Sequence, residues 1–273
     1  MASGVTNQAY ADAAERLHAA TATSTGAQLA TVADEILSVA GLLRGQPRLR
    51  RALTDPSRPG EDRGDLLHSL LSGKVTKVTV DALAALVAGR FSKPGDLLDA
   101  TERLGVDTLL GAAQKDGKLA EVEDELFRFG QIVAGSPQLV ATLSDIGAPV
   151  APRAKLVRDL LDGKAQPITV WLVRVALEGF GGRGFEASLT RLVELTAARR
   201  DREVAYVTVA KPITDAEESA LGAKLAAIYG REVSLKVDVN PAIIGGVSVR
   251  VGSDLYDGTI LRRLNAAKQA FAK

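Results

Sequence analysis

The chain has 273 residues and no cysteine, and 34 Lys and Arg stand against 33 Asp and Glu, a formal net charge of +1. That balance gives no general pull toward nucleic acid or anionic lipid, and without thiols there is neither a disulfide framework nor a thiolate metal site, which fits a reducing compartment. Hydrophobic residues make up 46% but aromatics only 4%, so the cores must be built from Ala, Leu and Val, and the length allows two or three domains. No apolar run approaches a membrane span, and Met1 to Thr6 lacks the basic-then-apolar pattern of a secretory signal. A soluble, cytosolic protein is expected, held at any membrane by something else.

The first predicted helix carries Ala9-Tyr10-Ala11-Asp12-Ala13-Ala14 and Glu15-Arg16-Leu17. Ser24-Thr25 caps the next, whose Leu29, Val32, Ile36, Leu37, Val39, Leu42 and Leu43 recur at helical spacing. Pro47 suits the first turn of a short helix, Thr54 to Ser57 is a turn, and Pro59 opens a helix with Leu66, Leu67, Leu70 and Leu71 that Gly73 stops. Val78 to Val87 is more uniformly apolar and central to its bundle, and Gly89-Arg90-Phe91 breaks it. A helix from about 96 to 113 follows.

Shifted by 90 positions, the chain then aligns with itself. Leu29-Ala30, Val32 and Asp34-Glu35 match Leu119-Ala120, Val122 and Asp124-Glu125. Gly45, Pro47, Leu53, Asp55, Pro59 and Arg63 match Gly135, Pro137, Leu143, Asp145, Pro149 and Arg153, and Gly73-Lys74 and Thr79-Val80 match Gly163-Lys164 and Thr169-Val170. Two copies argue for two similar bundles rather than a solenoid. Glu102-Arg103-Leu104 is similar to Glu15-Arg16-Leu17 of the first helix and to Thr190-Arg191-Leu192 of the last, which predicts that residues 96–113 pack on both bundles. The division is a first bundle over 1–105, a second over 106–201 and a small domain over 202–273.

In that last domain Val204, Tyr206, Val207 and Val209 predict a strand, and Pro212 to Asp215 lead into a helix with Asp215 as candidate cap and Leu221, Leu225, Ile228 and Tyr229 on one face. Val233, Leu235 and Val237 form the next strand, and Val247, Val249 and Val251 alternate with polar residues after Gly245-Gly246. Ser253-Asp254 is read as a turn, and Asp257 or Thr259 as the cap of a closing helix with Ile260, Leu261 and Leu264 inside. The fold class is mainly α with a small strand-helix-strand-strand-helix α/β domain.

Motifs for chemistry are weak. Gly179 to Gly184 fits G-x-G-x-x-G, but a helix rather than a strand precedes it, so it reads as a helix–helix turn; Gly73-Lys74 and Gly163-Lys164 lack the rest of a phosphate loop. His18 and His68 have no partner at ligand spacing, and Glu121 to Glu125 sits where a helix dipole favours negative charge. The arginine pairs at 50–51, 199–200 and 262–263 are solvated helix faces, the last two with a minority reading as contacts to an acidic helix. Trp171, where the first copy has Asp81, fills a core or anchors a partner. No metal, cofactor or catalytic residue is assigned.

Several strings nevertheless form a set. The apolar pair before Gly245-Gly246, the strand ending Arg250-Val251-Gly252, and Asp257-Gly258-Thr259 with a leucine-bearing helix behind resemble the C-terminal signature of the delta subunit of bacterial F-type ATP synthase. The family includes the mitochondrial oligomycin-sensitivity-conferring protein. Ala9 to Ala14 looks like its opening helix, and Gly89-Arg90-Phe91 like its helix-breaking turn, with Gly182-Arg183-Gly184-Phe185 a variant in the second copy. The resemblance covers the whole chain, which is one bundle longer than the family pattern.

The resemblance implies a non-enzymatic stator subunit, peripheral on the inner face of the cell membrane, that joins the catalytic head to the peripheral stalk against rotor torque. It implies that the first bundle receives a helical tail of a head alpha subunit, in a groove lined by Tyr10, Ala14, Leu17, Leu83, Leu86 and Val87. An equivalent second groove would use Leu104, Trp171, Val175 and Ala176 for a second tail or a stalk brace. Stalk helices of b type would meet Ile244, Val247, Leu255, Ile260 and Leu264, with neither nucleic acid nor direct membrane insertion involved. The alternatives are a helical adaptor of an unrelated complex and a nucleotide-dependent enzyme.

Overall fold

The computed structural model describes residues 4–201, 204–230, 233–243, 245–251 and 254–258. The chain divides into two compact units, Met1–Thr196 and Ala197–Lys273.

In the helical unit, α1 (Gly4–Ala20), α2 (Gly26–Gly45), α3 (Pro47–Leu53), α4 (Gly60–Leu71) and α5 (Lys77–Ala88) precede the 22-residue α6 (Pro94–Lys115). The second series is α7 (Leu119–Ala134), α8 (Pro137–Ser144), α9 (Val150–Leu161), α10 (Pro167–Leu177) and α11 (Phe185–Asp201), with a 3-10 turn at Phe180–Gly182. Sequence identity across the repeat translates into related local roles: the two glutamates match partner for partner, whereas the two arginines pin different carbonyls. Glu35 accepts from the Thr76 N–H (3.0 Å) and from the Thr79 hydroxyl, and so caps α5. Its counterpart Glu125 accepts from the Gln166 N–H (2.9 Å) and the Thr169 hydroxyl, and so caps α10. Arg63 and Arg153, both buried, each donate to turn carbonyls: Arg63 to Asp55, Ala88 and Gly89, Arg153 to Leu143 and Ala148. They satisfy buried backbone acceptors that no helix ladder reaches.

Two hydrophobic cores result. The first gathers Ala13, Leu17, Ile36, Leu53, Leu83 and Leu86, and α6 adds Leu97, Ala100 and Leu104 to it. In the second, Val106, Leu109, Leu110 and Ala113 of the same helix pack with Leu126, Phe129, Leu143, Leu172 and Leu192. Each fully buried leucine contributes about 1.5–3 kcal/mol. α2 also faces both ways: Val32, Ile36 and Val39 belong to the first core, while Ala33 enters the second and Ala30 and Leu37 pack on it. The expectation that no segment has membrane-spanning character is corrected at α2, a 20-residue helix long and apolar enough by length and composition. Its apolarity has another cause, since one side of the helix packs in the first core and an adjacent side in the second.

The second unit is a mixed sheet of order β2-β1-β3-β4 with one helix. β1 (Val204–Val209) crosses over through α12 (Asp215–Tyr229) to the parallel β2 (Ser234–Val239), and β3 (Val247–Val251) pairs antiparallel with β1 and with β4 (Asp254–Asp257). Val207, Val209, Leu225, Val249 and Val251 form its core. Three expectations change here. Thr214, not Asp215, caps α12, its hydroxyl accepting from Glu217 N–H at 3.3 Å while Glu217 accepts from the Thr214 N–H at 2.8 Å. Asp254 to Asp257 is a strand rather than a turn and a cap, because its backbone pairs with residues 248–251 of β3. The expected closing helix lies outside the described residues.

Gly105 marks how closely α2 and α6 approach, since a Cβ there would lie 2.7 Å from Leu37 Cγ and Cδ2. Gly105→Val is therefore expected to destabilise the helical unit by about 1–3 kcal/mol through overpacking. That exceeds the helix-propensity gain of under about 1 kcal/mol. Chemical denaturation reads the difference.

Candidate partner-binding site

α2 of the first repeat and α10 of the second face each other across a cleft of about 250 Å³. Leu37, Gly41 and Arg44 line one wall, Trp171, Arg174, Val175 and Glu178 the other, and Glu102 of α6 reaches it from below. A polar clamp closes one end. Arg44 donates to Glu102 at 2.7 Å and to Glu178 at 2.6 Å, and Glu102 also accepts the Gly181 N–H at 2.7 Å. Glu102 is only 1% exposed. Burial pushes its pKa up, against the opposing pull of the Gly181 N–H and Arg44. The glycines of the 179–184 turn serve this clamp: Gly181 has φ +61°, and its N–H is thereby turned to the carboxylate.

A second polar cluster joins α1 to α6. The Tyr10 hydroxyl donates to Asp107, and the Arg103 guanidinium lies 4.8 Å from the Tyr10 ring centroid and 3.6 Å from Asp107. Burial, reinforced by the Asp107 carboxylate, holds the Tyr10 phenol well above its ordinary pKa.

The residues expected to line the first groove divide. Leu17, Leu83, Leu86 and Val87 are interior members of the first core rather than walls of an open furrow. Tyr10 and Ala14 are half-buried at its edge. Of the second set, Leu104 belongs to the first core and Ala176 is fully buried, while Trp171 and Val175 line the cleft that α2 faces. The structure thus brings two of the four together at a surface, and that surface is already met by a helix of the same chain. Val247 is half-buried on β3, the backbone of Leu255 pairs with that of Arg250, and Ile244, Ile260 and Leu264 lie outside the described residues. Sequence reasoning did not find Glu102, Arg44 and Glu178, which come from three helices far apart in the chain. Phe127 and Ile132 on α7, second-repeat counterparts of Leu37 and Leu42, are exposed, Phe127 by 51%.

Among the described residues no group of three or more His, Asp or Glu is placed to hold a metal ion. A recess of about 470 Å³ between the 54–60 turn and the 88–92 turn is lined by Arg58, Arg63, Arg90 and Phe91, and Arg63 there is committed to backbone carbonyls.

Known proteins match the chain closely. The sequence profile of the ATP synthase delta (OSCP) subunit family matches residues 106–271. The chain is 59% identical over all 273 residues, covering 100% of both chains, to ATP synthase subunit delta of Salinispora arenicola. It is 44% identical over 265 residues, 97% of each chain, to ATP synthase subunit delta of Streptomyces griseus. A chain of the Toxoplasma gondii mitochondrial ATP synthase hexamer aligns with 62% of this chain and 95% of its own length, at 16% identity and a TM-score of 0.37, too distant a likeness to carry weight.

The clamp makes a pH prediction. Glu102 holds its proton more tightly in the folded chain than in the unfolded one, so its contribution is fully present below the ordinary glutamate pKa and is lost as pH rises through the raised value. Glu102→Gln keeps an acceptor for Gly181 and cannot ionise. Between those two pH values the wild-type Tm is expected to fall relative to that of Glu102→Gln, a difference that paired thermal melts detect.

Proposed function

Because the chain belongs to the ATP synthase delta (OSCP) subunit family and is accordingly a peripheral-stalk stator subunit of the ATP synthase, we propose that it acts without catalysis, as the joint between the head and the stalk. The helical unit meets the alpha subunits of the head, the C-terminal unit meets b-type stalk helices, and the chain sits on the inner face of the membrane through the complex. One observation carries the reading: α6 supplies side chains to two successive cores, so the helical unit transmits force as a single packed body. A stator joint needs that stiffness, together with long-lived contacts; nanomolar affinity corresponds to about 12 kcal/mol.

The groove residues fit this reading in a modified way. Leu17, Leu83, Leu86 and Val87 hold α1 and α5 side by side from within, which leaves the outer faces of these helices, edged by Tyr10 and Ala14, for an amphipathic helix of the head.

Membrane vesicles carrying the enzyme with and without this subunit test the proposal. Omission is expected to leave ATP hydrolysis by the head intact while ATP-driven proton pumping is lost, because an unbraced head turns with its rotor. Loss of hydrolysis by the isolated head, restored on adding the subunit back, contradicts it.

A further inference from the structure

Three guanidinium groups meet at one recess of the first bundle, between the start of α4 and the end of α5. The recess holds about 470 Å³ and is lined by Arg58, Arg63 and Arg90, with no aspartate or glutamate among its lining residues. Small-molecule pockets hold about 300–1,000 Å³. The fold itself accounts for one of the three cations. Arg63 is 4% exposed, and its Nη1 holds the Asp55 carbonyl while its Nη2 holds those of Ala88 and Gly89. It thereby offsets the partial negative charge that the carbonyl end of α5 would turn toward the recess. The other two are exposed and weakly engaged. Arg58 lies 3.9 Å from an Asp55 carboxylate that already accepts the Ser57 N–H and hydroxyl. Arg90 has no hydrogen-bond or ion-pair partner among the described residues.

The repeat separates frame from function here, over stretches that align without a gap. Pro59 and Arg63 return as Pro149 and Arg153, but Arg58 is replaced by Ala148, and Ala88 by Glu178. The second copy keeps the pinning arginine and drops the positive field. The start of α4 adds to that field in the first copy. Pro59 gives α4 no side-chain cap, so its first N–H groups lack a capping acceptor. A Cβ on Gly60 would lie 2.3 Å from the Ala88 carbonyl oxygen, so glycine lets this helix begin against the end of α5. Glu61 and Asp62 of the same turn are exposed and do not line the recess.

We propose that this recess binds a phosphate group, free or carried on a nucleotide, with Arg58 and Arg90 as its charged ligands and the first turn of α4 as a further donor. A guanidinium offers paired N–H donors that match phosphate oxygens. The volume is more than a lone phosphate fills, and Phe91, Pro56 and Pro59 give the remainder an apolar wall for a planar base. A bound phosphate ties the 54–60 turn to the 88–92 turn and so braces the first bundle. The site does not depend on the head and stalk contacts proposed above.

Isothermal titration calorimetry on the full-length chain at physiological ionic strength tests the site, with inorganic phosphate, ADP and adenosine as separate titrants. Phosphate or ADP is expected to bind saturably. Arg58→Ala and Arg90→Ala are each expected to weaken that binding about tenfold or more, the loss of one charge-assisted hydrogen bond. Arg51→Ala removes an exposed arginine outside the recess and is expected to leave binding unchanged. Arg63 stays in place throughout, and paired thermal melts without ligand check that the variants fold as the wild type does. ADP binding tighter than phosphate identifies a nucleotide as the source of the group; ADP binding no tighter identifies the free anion. No saturable binding of either, adenosine binding as tightly as ADP, or equal affinity in wild type, Arg58→Ala and Arg90→Ala overturns the proposal.

Discussion

Leu97, Ala100 and Leu104 turn the first half of α6 into one hydrophobic core, and Val106, Leu109, Leu110 and Ala113 turn its second half into the next. A helix of 22 residues is about 33 Å long at 1.5 Å per residue, enough to run the depth of both bundles. Neither core can lose α6 without losing three or four of its buried side chains, so the bundles are bound to fold together. The duplication did not yield two beads on a string: the last helix of one copy is the first helix of the next.

The clamp around Glu102 has a different role from the cores. Two carboxylates and one guanidinium in a half-closed cleft gain little net free energy, because desolvation offsets attraction. Their geometry, however, fixes the register of α2 against α10 and of the 3-10 turn against α6, since Glu102 reaches Arg44 and the Gly181 N–H together. Apolar packing holds the halves in contact, and the clamp selects one arrangement among the several that a smooth alanine–leucine surface permits.

Much of this was readable from residue order. The repeat was legible because glycines, prolines and the Asp-Glu pair recur at one offset, and the capping and carbonyl-pinning roles of Glu35, Glu125, Arg63 and Arg153 explain why those particular polar residues recur. The triple likeness of residues 15–17, 102–104 and 190–192 pointed to α6 as common to both bundles. The groove residues were less legible. Helical periodicity shows that Leu83, Leu86 and Val87 form an apolar stripe, but a stripe facing its own core and a stripe facing a partner look alike in sequence. α2 misled for the related reason that it is covered on two sides. β4 escaped notice because Asp254 and Asp257 are turn-formers by composition, and only pairing with β3 makes the segment a strand.

Native-state hydrogen exchange on the intact chain tests the shared helix most directly. If α6 welds the two cores, the slowest amides of α5, of both halves of α6 and of α10 open with one common free energy. Slow exchange in one bundle beside markedly faster exchange throughout the other, with α6 divided near Gly105, would show two independently opening bodies and contradict the account.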